Sequence, residues 1–405
     1  MKIKSETRQR CNIYSLDTKN RRLFANVSLE LYSYLYEIRK IEFSLFCRVG
    51  DQMIEYIKPE EFCRDLLEHI WSATQQTDAD VSVCVLKKDL GKFYNLLDAV
   101  RQKKIAVIKE QNPNLDPRAL DVFADLSGAS QMIVKGGIDK KVASRAQAAA
   151  SYMMNNMMQS QAAVGTLSRM IQIDPTLYDH SAAVAMFAGL MAFRFSPNIN
   201  EKKAALVAQC GLYHDTGKSC IPAHILNKPG PFEPEEYEIM KEHTHHGCTE
   251  LKKAIKKGAP IEDIVCRVAL EHHERYAGHG YPYGKKGREE DNPDNGIHLY
   301  TRFVSIADAY SALLMERVYK PALSPEEAIS LMSRNAEKNF DIEIYHSFIG
   351  DVEKSLRNVD QDPDAVLYEL REKAGLGRQS TPDPVPQHAE KTLTYQKRGK
   401  RIMTS

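Results

Sequence analysis

Short apolar runs broken by polar residues characterise the first hundred positions of the chain. Phe43–Val49 and Val81–Leu86 are rich in valine and phenylalanine and are typical of buried strands. Apolar residues at helical spacing predict one helix over 59–71 and a second over 89–100. This mixture predicts a small α+β domain over residues 1–115, and its position alone suggests a regulatory or sensor-like role.

A helical pattern replaces this mixture after the turn-rich segment Asn112–Pro117 and continues almost to residue 358. Residues 143–170 contain no proline, which predicts one long helix there. The cluster Met153, Met154, Met157 and Met158 is expected to pack in a core or a dimer interface, because three- and four-residue spacing is typical of packing rather than of a soft-metal site. We predict a helical linker over 116–164 and a helical domain over 165–365.

Apolar periodicity is lost beyond Gly375, where Gln, Ser, Thr, Pro and Lys predominate. This composition predicts a C-terminal extension over 366–405 that is mostly a disordered tail. Its basic end, residues 397–401, could contact a phosphate or a membrane surface. A solubilising tail is the simpler interpretation of the same residues.

The overall charge of the chain is close to zero. Lys and Arg number 55 against 54 Asp and Glu, so no general positive field attracts a nucleic-acid polymer. The longest apolar stretch, 182–193, is too short for a membrane span, and the charged start, 1–10, does not resemble a signal peptide. The eight cysteines lie far apart and are expected to be reduced thiols. We therefore expect a cytoplasmic protein without a membrane span.

The histidines are concentrated in one part of the chain, between His180 and His298. Residues able to hold a metal occur there about one helix and one connection apart, so a helical fold can bring them to a common centre. Imidazoles and carboxylates without thiolates suit iron, manganese, nickel or zinc. The candidate ligands are His180, His214, Asp215, His243, His272, His273 and Asp308.

Several ordered motifs accompany these residues. His214 to Lys218 read HD-x-G-K, residues 272–282 read HHERYAGHGYP, and Asp308 lies in FVSIADAY. An RVYK segment with Arg317 and Lys320 follows, and NFD comes at 339–341. Together the motifs resemble the HD-GYP family, a bacterial branch of the HD phosphohydrolases that degrades cyclic dinucleotides. The resemblance extends over roughly residues 165–355.

The resemblance implies an all-α, HD-type catalytic domain preceded by the small α+β regulatory domain. It also implies two divalent metal ions per chain, with iron or manganese expected. Asp215 would bridge them, since each of its oxygens can face one cation. The remaining ligands would divide into two sets: His180, His214 and Asp308 on one metal, and His243, His272 and His273 on the other. Catalytic roles are implied for Asp215 and Lys218, and substrate contacts for Lys218, Tyr281, Arg317 and Lys320.

The function implied by the resemblance is hydrolysis of cyclic di-GMP to pGpG, GMP or both by a hydroxide activated between two metals. Ala277 departs from the family pattern, which has an aspartate there, and leaves open another cyclic dinucleotide such as cyclic GMP-AMP. Thr176 stands where some members have a glutamate for a third metal, and Ser311 where many have an acid. A further alternative is a non-catalytic cyclic-dinucleotide receptor that signals through the amino-terminal domain. The helical linker could pair two protomers as a homodimer.

Overall fold

Five short strands near the beginning of the chain pair into one antiparallel sheet in the computed structural model, in the order β1-β4-β3-β5-β2. The strands are β1 Asn12–Ser15, β2 Phe24–Val27, β3 Leu45–Val49, β4 Gln52–Ile57 and β5 Val81–Leu86. The structure describes residues 12–15, 23–27, 40–49, 52–60, 81–173, 179–226, 228, 230–315 and 322–360. The strands β3 and β5 confirm the two strands that the sequence predicted. Most of the helix predicted over 59–71 and the whole predicted tail over 366–405 lie outside the described residues.

The two faces of the sheet pack differently. Alternate residues point to opposite faces of a strand. Phe46, Met53 and Cys84 form a small cluster on one face. Leu45 and Val83 belong instead to the main core, which continues into the helices.

The rest of the described chain is mostly helical, which confirms the predicted fold class of a helical domain preceded by a small α+β region. The helix predicted from residue 89 is present and longer than expected. The helices, all within the described residues, are α1 Leu90–Gln111, α2 Pro117–Gly136, α3 Lys140–Met157, α4 Ala163–Ile173, α5 His180–Phe195, α6 Glu201–Tyr213, α7 Ala223–Leu226, α8 Pro234–Lys241, α9 His243–Lys256, α10 Asp263–Glu271, α11 Leu299–Leu314, α12 Pro325–Ser333, α13 Ala336–Asn339 and α14 Ile342–Asp360.

The prediction of one long helix over 143–170 is wrong, because α3 ends at Met157 and α4 begins at Ala163. Ser160 lies in the break and is buried. Its hydroxyl donates to Asp116 Oδ2 at 2.6 Å, and its carbonyl accepts from Arg194 Nη2 at 2.5 Å. These contacts from distant parts of the chain hold the turn against the helix propensity of the sequence. The methionines of α3 pack as expected: Met153, Met154 and Met157 are fully buried.

Helix α5 is the central element of the helical core. It is buried on all sides from Ser181 to Ala192 and packs against α6 and α11. A Cβ added at Gly211 would lie 2.6 Å from Ala185 Cα, so only glycine permits the observed approach of α6 to α5. This approach brings the beginning of α5 next to the end of α6, where the candidate ligands His180 and His214 lie.

One core extends from Val83 of the sheet to Val359 of the last helix, and α2 and α3 contribute to it. The boundaries expected after residues 115, 164 and 365 stay predictions. Among the helices of the described ranges, none combines the length and the apolar character needed to cross a membrane.

A buried ion-pair network fixes the segment between α10 and α14. The Asp341 carboxylate, 2% exposed, accepts from Arg288 Nε at 2.9 Å and from Arg302 Nη1 at 2.7 Å. Burial opposes ionisation of Asp341, but the hydrogen bonds from Arg288 and Arg302 outweigh it and hold the pKa of this carboxyl below its usual range.

Replacing Asp341 with asparagine is expected to destabilise the fold by about 3 kcal/mol, because buried Arg302 and half-buried Arg288 lose the one buried carboxylate that pairs with both. Their other partners, Glu290 and Glu343, are mostly exposed. A carboxyl with a lowered pKa stabilises the folded state above its unfolded pKa, and this stabilisation is lost as the pH falls through the folded pKa. The difference between Asp341→Asn and wild type should therefore shrink below about pH 4 in urea unfolding. Asp351→Asn, at a more exposed pair with Arg194, is the control and should cost less than about 1 kcal/mol. A constant difference across the pH range would contradict the prediction.

Candidate metal centre

The seven candidate ligands, predicted from positions spread over 129 residues of sequence, lie together in the structure. Most stand at helix ends. His180 begins α5 and His243 begins α9, while His214 directly follows α6 and His272 directly follows α10. Asp308 projects from within α11 and is buried. The ends of several helices can approach one point without steric overlap between the helices. This arrangement therefore places many side chains around that point.

Asp215 lies at the middle of the cluster, and its two carboxylate oxygens face different groups of histidines. Oδ2 is 3.2 Å from His214 Nε2 and 3.7 Å from His180 Nε2. Oδ1 is 3.5 Å from His243 Nε2 and 3.8 Å from His272 Nε2. Two groups of residues able to hold a metal therefore share Asp215: His180, His214 and Asp215 in one, and Asp215, His243, His272 and His273 in the other.

Asp308 closes the cluster from the α11 side. Its Oδ1 is 3.1 Å from His180 Nε2 and 3.9 Å from His214 Nε2, and its Oδ2 is 3.9 Å from His273 Nδ1. The other nitrogen of His180, Nδ1, lies 2.9 Å from Ser311 Oγ. Ser311 stands where many members of the HD-GYP family have an acid. In this structure it orients the imidazole of His180 toward the two carboxylates.

Three of the histidines are oriented by backbone carbonyls at the ends of helices. The Nδ1 atoms of His214, His243 and His272 lie 2.7, 2.7 and 2.9 Å from the carbonyls of Gly211, Met240 and Ala269, each three residues back. A carbonyl only accepts, so each Nδ1 must carry the proton and donate. In the neutral imidazole this leaves Nε2 with a free lone pair that points into the cluster.

Two observations indicate that the cluster suits a cation. His214 Nε2 and Asp215 Oδ1 are buried and make no hydrogen bond to any described residue. The Nε2 atoms of His243 and His272 lie 3.4 Å apart, although both carry lone pairs when Nδ1 is protonated. Facing lone pairs and an unpartnered buried oxygen are costly unless a positive charge lies between them. The residues present fit divalent metal ions, whose preferred ligands are imidazole nitrogens and carboxylate oxygens.

The two carboxylates are ionised well below neutral pH. Burial alone would raise the pKa of the Asp215 carboxyl, but His214 and Lys218 outweigh it and hold that pKa well below its usual range. Burial acts against the ionisation of Asp308 as well. A hydrogen bond from His180 is the main contribution that lowers the Asp308 pKa despite it. Negative charge is therefore present at the centre of the cluster throughout the physiological range.

Most of the buried histidines are neutral under the same conditions. Burial lowers the pKa of His243, lowers that of His272 well below its usual range, and lowers that of His273 to about 3. His214 differs: burial opposes its protonation, but the adjacent Asp215 outweighs burial and raises the pKa. Metal ligation requires neutral imidazoles and ionised carboxylates, so the cluster at neutral pH is close to the state that a metal binds.

The glycine of HD-x-G-K has a specific packing reason. Gly217 lies in a 3-10 turn, Thr216–Cys220, that runs against the beginning of α9. A Cβ added there would lie 1.9 Å from the carbonyl oxygen of His243 and 2.4 Å from the amide nitrogen of Gly247. The close approach brings Asp215 within reach of His243.

A loop over 276–287 covers the His273 side of the cluster. The Tyr281 ring lies 4.7 Å from the His273 ring, and the Tyr281 amide donates to the His273 carbonyl at 3.2 Å. Buried Glu274 accepts from the amides of Tyr283 and Lys285 at 2.7 and 2.9 Å. The loop is also held by the Ala277 amide, which donates to the Lys338 carbonyl at 2.9 Å.

The predicted substrate contacts divide into those the structure describes and those outside it. Lys218 Nζ lies 2.5 Å from Asp215 Oδ2 and is partly exposed at the edge of the cluster. Tyr281 lies next to His273, whereas Arg317 and Lys320 fall outside the described residues. The ligand, catalytic and substrate-binding roles of the predicted residues stay predictions.

The sequence reasoning did not single out two residues of α8. Tyr237 and Lys241 lie beside Tyr281, and their four-residue spacing on the helix that leads to His243 was the available signal.

Comparison with known protein families supports a classification of the region that contains the cluster. Residues 165–344 match the family model described as HD domain. Several relatives that are similar to part of this chain are named cyclic di-GMP phosphodiesterases or probable cyclic di-GMP phosphodiesterases. These similarities support the assignment of this part of the chain to the HD-GYP family. The seven clustered side chains all lie within its HD domain.

Three relatives represent the similarity. A cyclic di-GMP phosphodiesterase of Thermotoga maritima is 38% identical over 36% of this chain and 37% of its own length. A probable cyclic di-GMP phosphodiesterase of Vibrio cholerae is 37% identical over 34% of this chain and 30% of its own. A 3'3'-cGAMP-specific phosphodiesterase 1 of the same species is 32% identical over 38% of this chain and 33% of its own. The match thus spans about a third of the length of these relatives.

Proposed function

We propose that the protein is a metal-dependent phosphodiesterase that hydrolyses cyclic dinucleotides, with cyclic di-GMP as its substrate. The observation that carries the proposal is the position of Asp215, whose two oxygens face separate groups of histidines. A carboxylate between two such groups suits a ligand shared by two cations. The names of the relatives, which act on cyclic di-GMP or 3'3'-cGAMP, support the substrate class.

Each group of side chains has a distinct task in this proposal. His180, His214 and Asp308 would hold one cation, and His243, His272 and His273 the other, with Asp215 between them. When bound, divalent metal ions supply a hydroxide at neutral pH and neutralise charge on the phosphate. The backbone carbonyls at Gly211, Met240 and Ala269 keep the imidazoles oriented, so little reorganisation is needed on binding.

We propose that Lys218 contacts the phosphate group of the substrate. Its ammonium group lies on the Asp215 carboxylate, and its side chain is 36% exposed. It can therefore turn from Asp215 to a non-bridging phosphate oxygen and stabilise the negative charge that develops there. Iron and manganese both accept this set of nitrogen and oxygen ligands, and we propose one of them as the resident metal.

The proposal is tested by metal quantification on anaerobically purified protein, followed by chromatography of cyclic di-GMP incubated with it. We expect two metals per chain and the appearance of pGpG, GMP or both. Chelation should abolish turnover, and added Mn²⁺ or Fe²⁺ should restore it. Tight binding without product from the fully metallated protein would contradict the proposed activity and indicate a receptor.

A second substrate is favoured by one feature of the loop. Ala277 stands where the HD-GYP sequence pattern has an aspartate, and the cGAMP-specific relative is similar over a comparable part of the chain. Parallel assays with 3'3'-cGAMP and cyclic di-GMP distinguish the two. A higher kcat/KM for 3'3'-cGAMP would reassign the substrate and leave the reaction class unchanged.

A further inference from the structure

An exposed aromatic ring and a lysine lie beside the metal centre without a role in the proposed hydrolysis. Tyr237 and Lys241 are one turn apart on α8, the helix that ends just before His243. Tyr237 is 46% exposed, which is unusual for so large a ring next to a buried cluster. Its ring contacts the Tyr281 ring and the Lys241 ammonium group.

Three rings form a continuous path outward from the cluster. The Tyr281 ring lies 4.7 Å from His273, and the Tyr237 ring lies 6.4 Å from Tyr281 in an edge-to-face arrangement. Lys241 Nζ is 5.3 Å from the centre of the Tyr237 ring and 5.9 Å from that of Tyr281. An aromatic face and an ammonium group are therefore available together, one ring away from a candidate metal ligand.

We propose that Tyr237 and Lys241 form a purine subsite, in which the Tyr237 ring stacks on a guanine base and Lys241 donates to the guanine acceptors. The inference rests on the proposed function, because the base would belong to the cyclic dinucleotide whose phosphate lies at the metal centre. Base–aromatic stacking is tolerant of base identity, since every base has a π face. Tyr237 therefore supplies affinity, and Lys241 supplies the choice of base.

The choice follows from hydrogen-bond chemistry. Guanine presents two neighbouring acceptors, O6 and N7, whereas adenine presents N7 beside the N6 amino donor. A lysine ammonium has donors only, so it complements guanine and meets a donor on adenine. Lys241 also pairs with Glu238 Oε1 at 2.7 Å. A pair of this kind at the surface is weak and can give way to a ligand.

The chain provides closely matched controls for both residues. Tyr152, on α3, is 47% exposed, almost the same as Tyr237. Lys253, on α9, pairs with Glu250 three residues earlier at 2.7 Å, as Lys241 pairs with Glu238. Substitutions at these control positions remove the same groups from helices other than α8, although Lys253 is 59% exposed against 26% for Lys241.

The test is titration calorimetry of the metallated protein with the phosphorothioate analogues of cyclic di-GMP and cyclic di-AMP. Tyr237→Ala should weaken binding of both analogues roughly tenfold, and Tyr237→Phe should retain it. Lys241→Met should weaken the guanine analogue roughly tenfold and leave the adenine analogue unchanged, which removes the preference for guanine. Tyr152→Ala and Lys253→Met should bind both analogues as wild type does.

The outcomes separate the subsite from the proposed activity. Wild-type affinities in both Tyr237→Ala and Lys241→Met would overturn the subsite, even if the wild type hydrolyses cyclic di-GMP. The expected losses together with no hydrolysis of any cyclic dinucleotide would support the subsite and overturn the activity. Failure of the wild type to bind either analogue would overturn both.

Discussion

Replacing Asp215 with asparagine is expected to lower kcat for cyclic di-GMP roughly a thousandfold, which corresponds to about 4 kcal/mol of lost transition-state stabilisation. Asparagine has one oxygen in place of two, and it is neutral. Because the two Asp215 oxygens face separate histidine groups, the substitution removes a shared ligand from both at once. The bound metal should fall below two per chain in the same sample.

A stability measurement accompanies the activity measurement. In wild type, metal at a hundred times its Kd should stabilise the fold by about 2.7 kcal/mol for each occupied site, because it binds only the folded state. In Asp215→Asn the stabilisation by the same metal concentration should largely disappear. Asp263→Asn, at an exposed position where α10 begins, is the control and should keep both metal and activity. Full metal content with normal turnover in Asp215→Asn would refute the shared-ligand role.

Gly217→Ala is expected to have the second-largest effect on activity, although it adds only one methyl group. The new Cβ would lie 1.9 Å from the His243 carbonyl oxygen, so the 3-10 turn and α9 must separate. We expect a loss of about 1–3 kcal/mol in the free energy of unfolding, as for other overpacked positions. A separation of about 1 Å between Asp215 and His243 should also lower kcat roughly a hundredfold.

Gly350→Ala provides the matched comparison. Gly350 is exposed within α14, and a Cβ added there would have no atom within 4 Å. Alanine should raise the free energy of unfolding by roughly 0.5–1 kcal/mol, because glycine is a poor residue in a helix interior. The two substitutions should thus differ in sign in urea unfolding. Equal stabilities and equal metal contents for Gly217→Ala and wild type would show that the turn is not held as tightly as the structure indicates.

The structure also shows where sequence reasoning about this fold fails. The helix predicted over 143–170 is broken near Ser160, whose partners Asp116 and Arg194 lie 44 and 34 residues away. Contacts between residues so far apart leave no local sequence pattern. Helix propensity alone therefore predicted one continuous helix. Tyr237 and Lys241 were missed for the same reason, since their significance depends on the neighbouring Tyr281.

The sequence by itself determined which residue types are present and in what order. Spacing and chemistry were enough to predict a helical domain and to name seven candidate ligands, all of which lie together in the structure. The tertiary structure alone decided how these side chains face one another. It turned the two Asp215 oxygens toward different histidines and oriented three of the imidazoles by backbone carbonyls at helix ends. Whether a side chain can bind a metal depends only on its residue type, which the sequence gives. The direction in which its lone pair points depends on how helices that are far apart in sequence pack together.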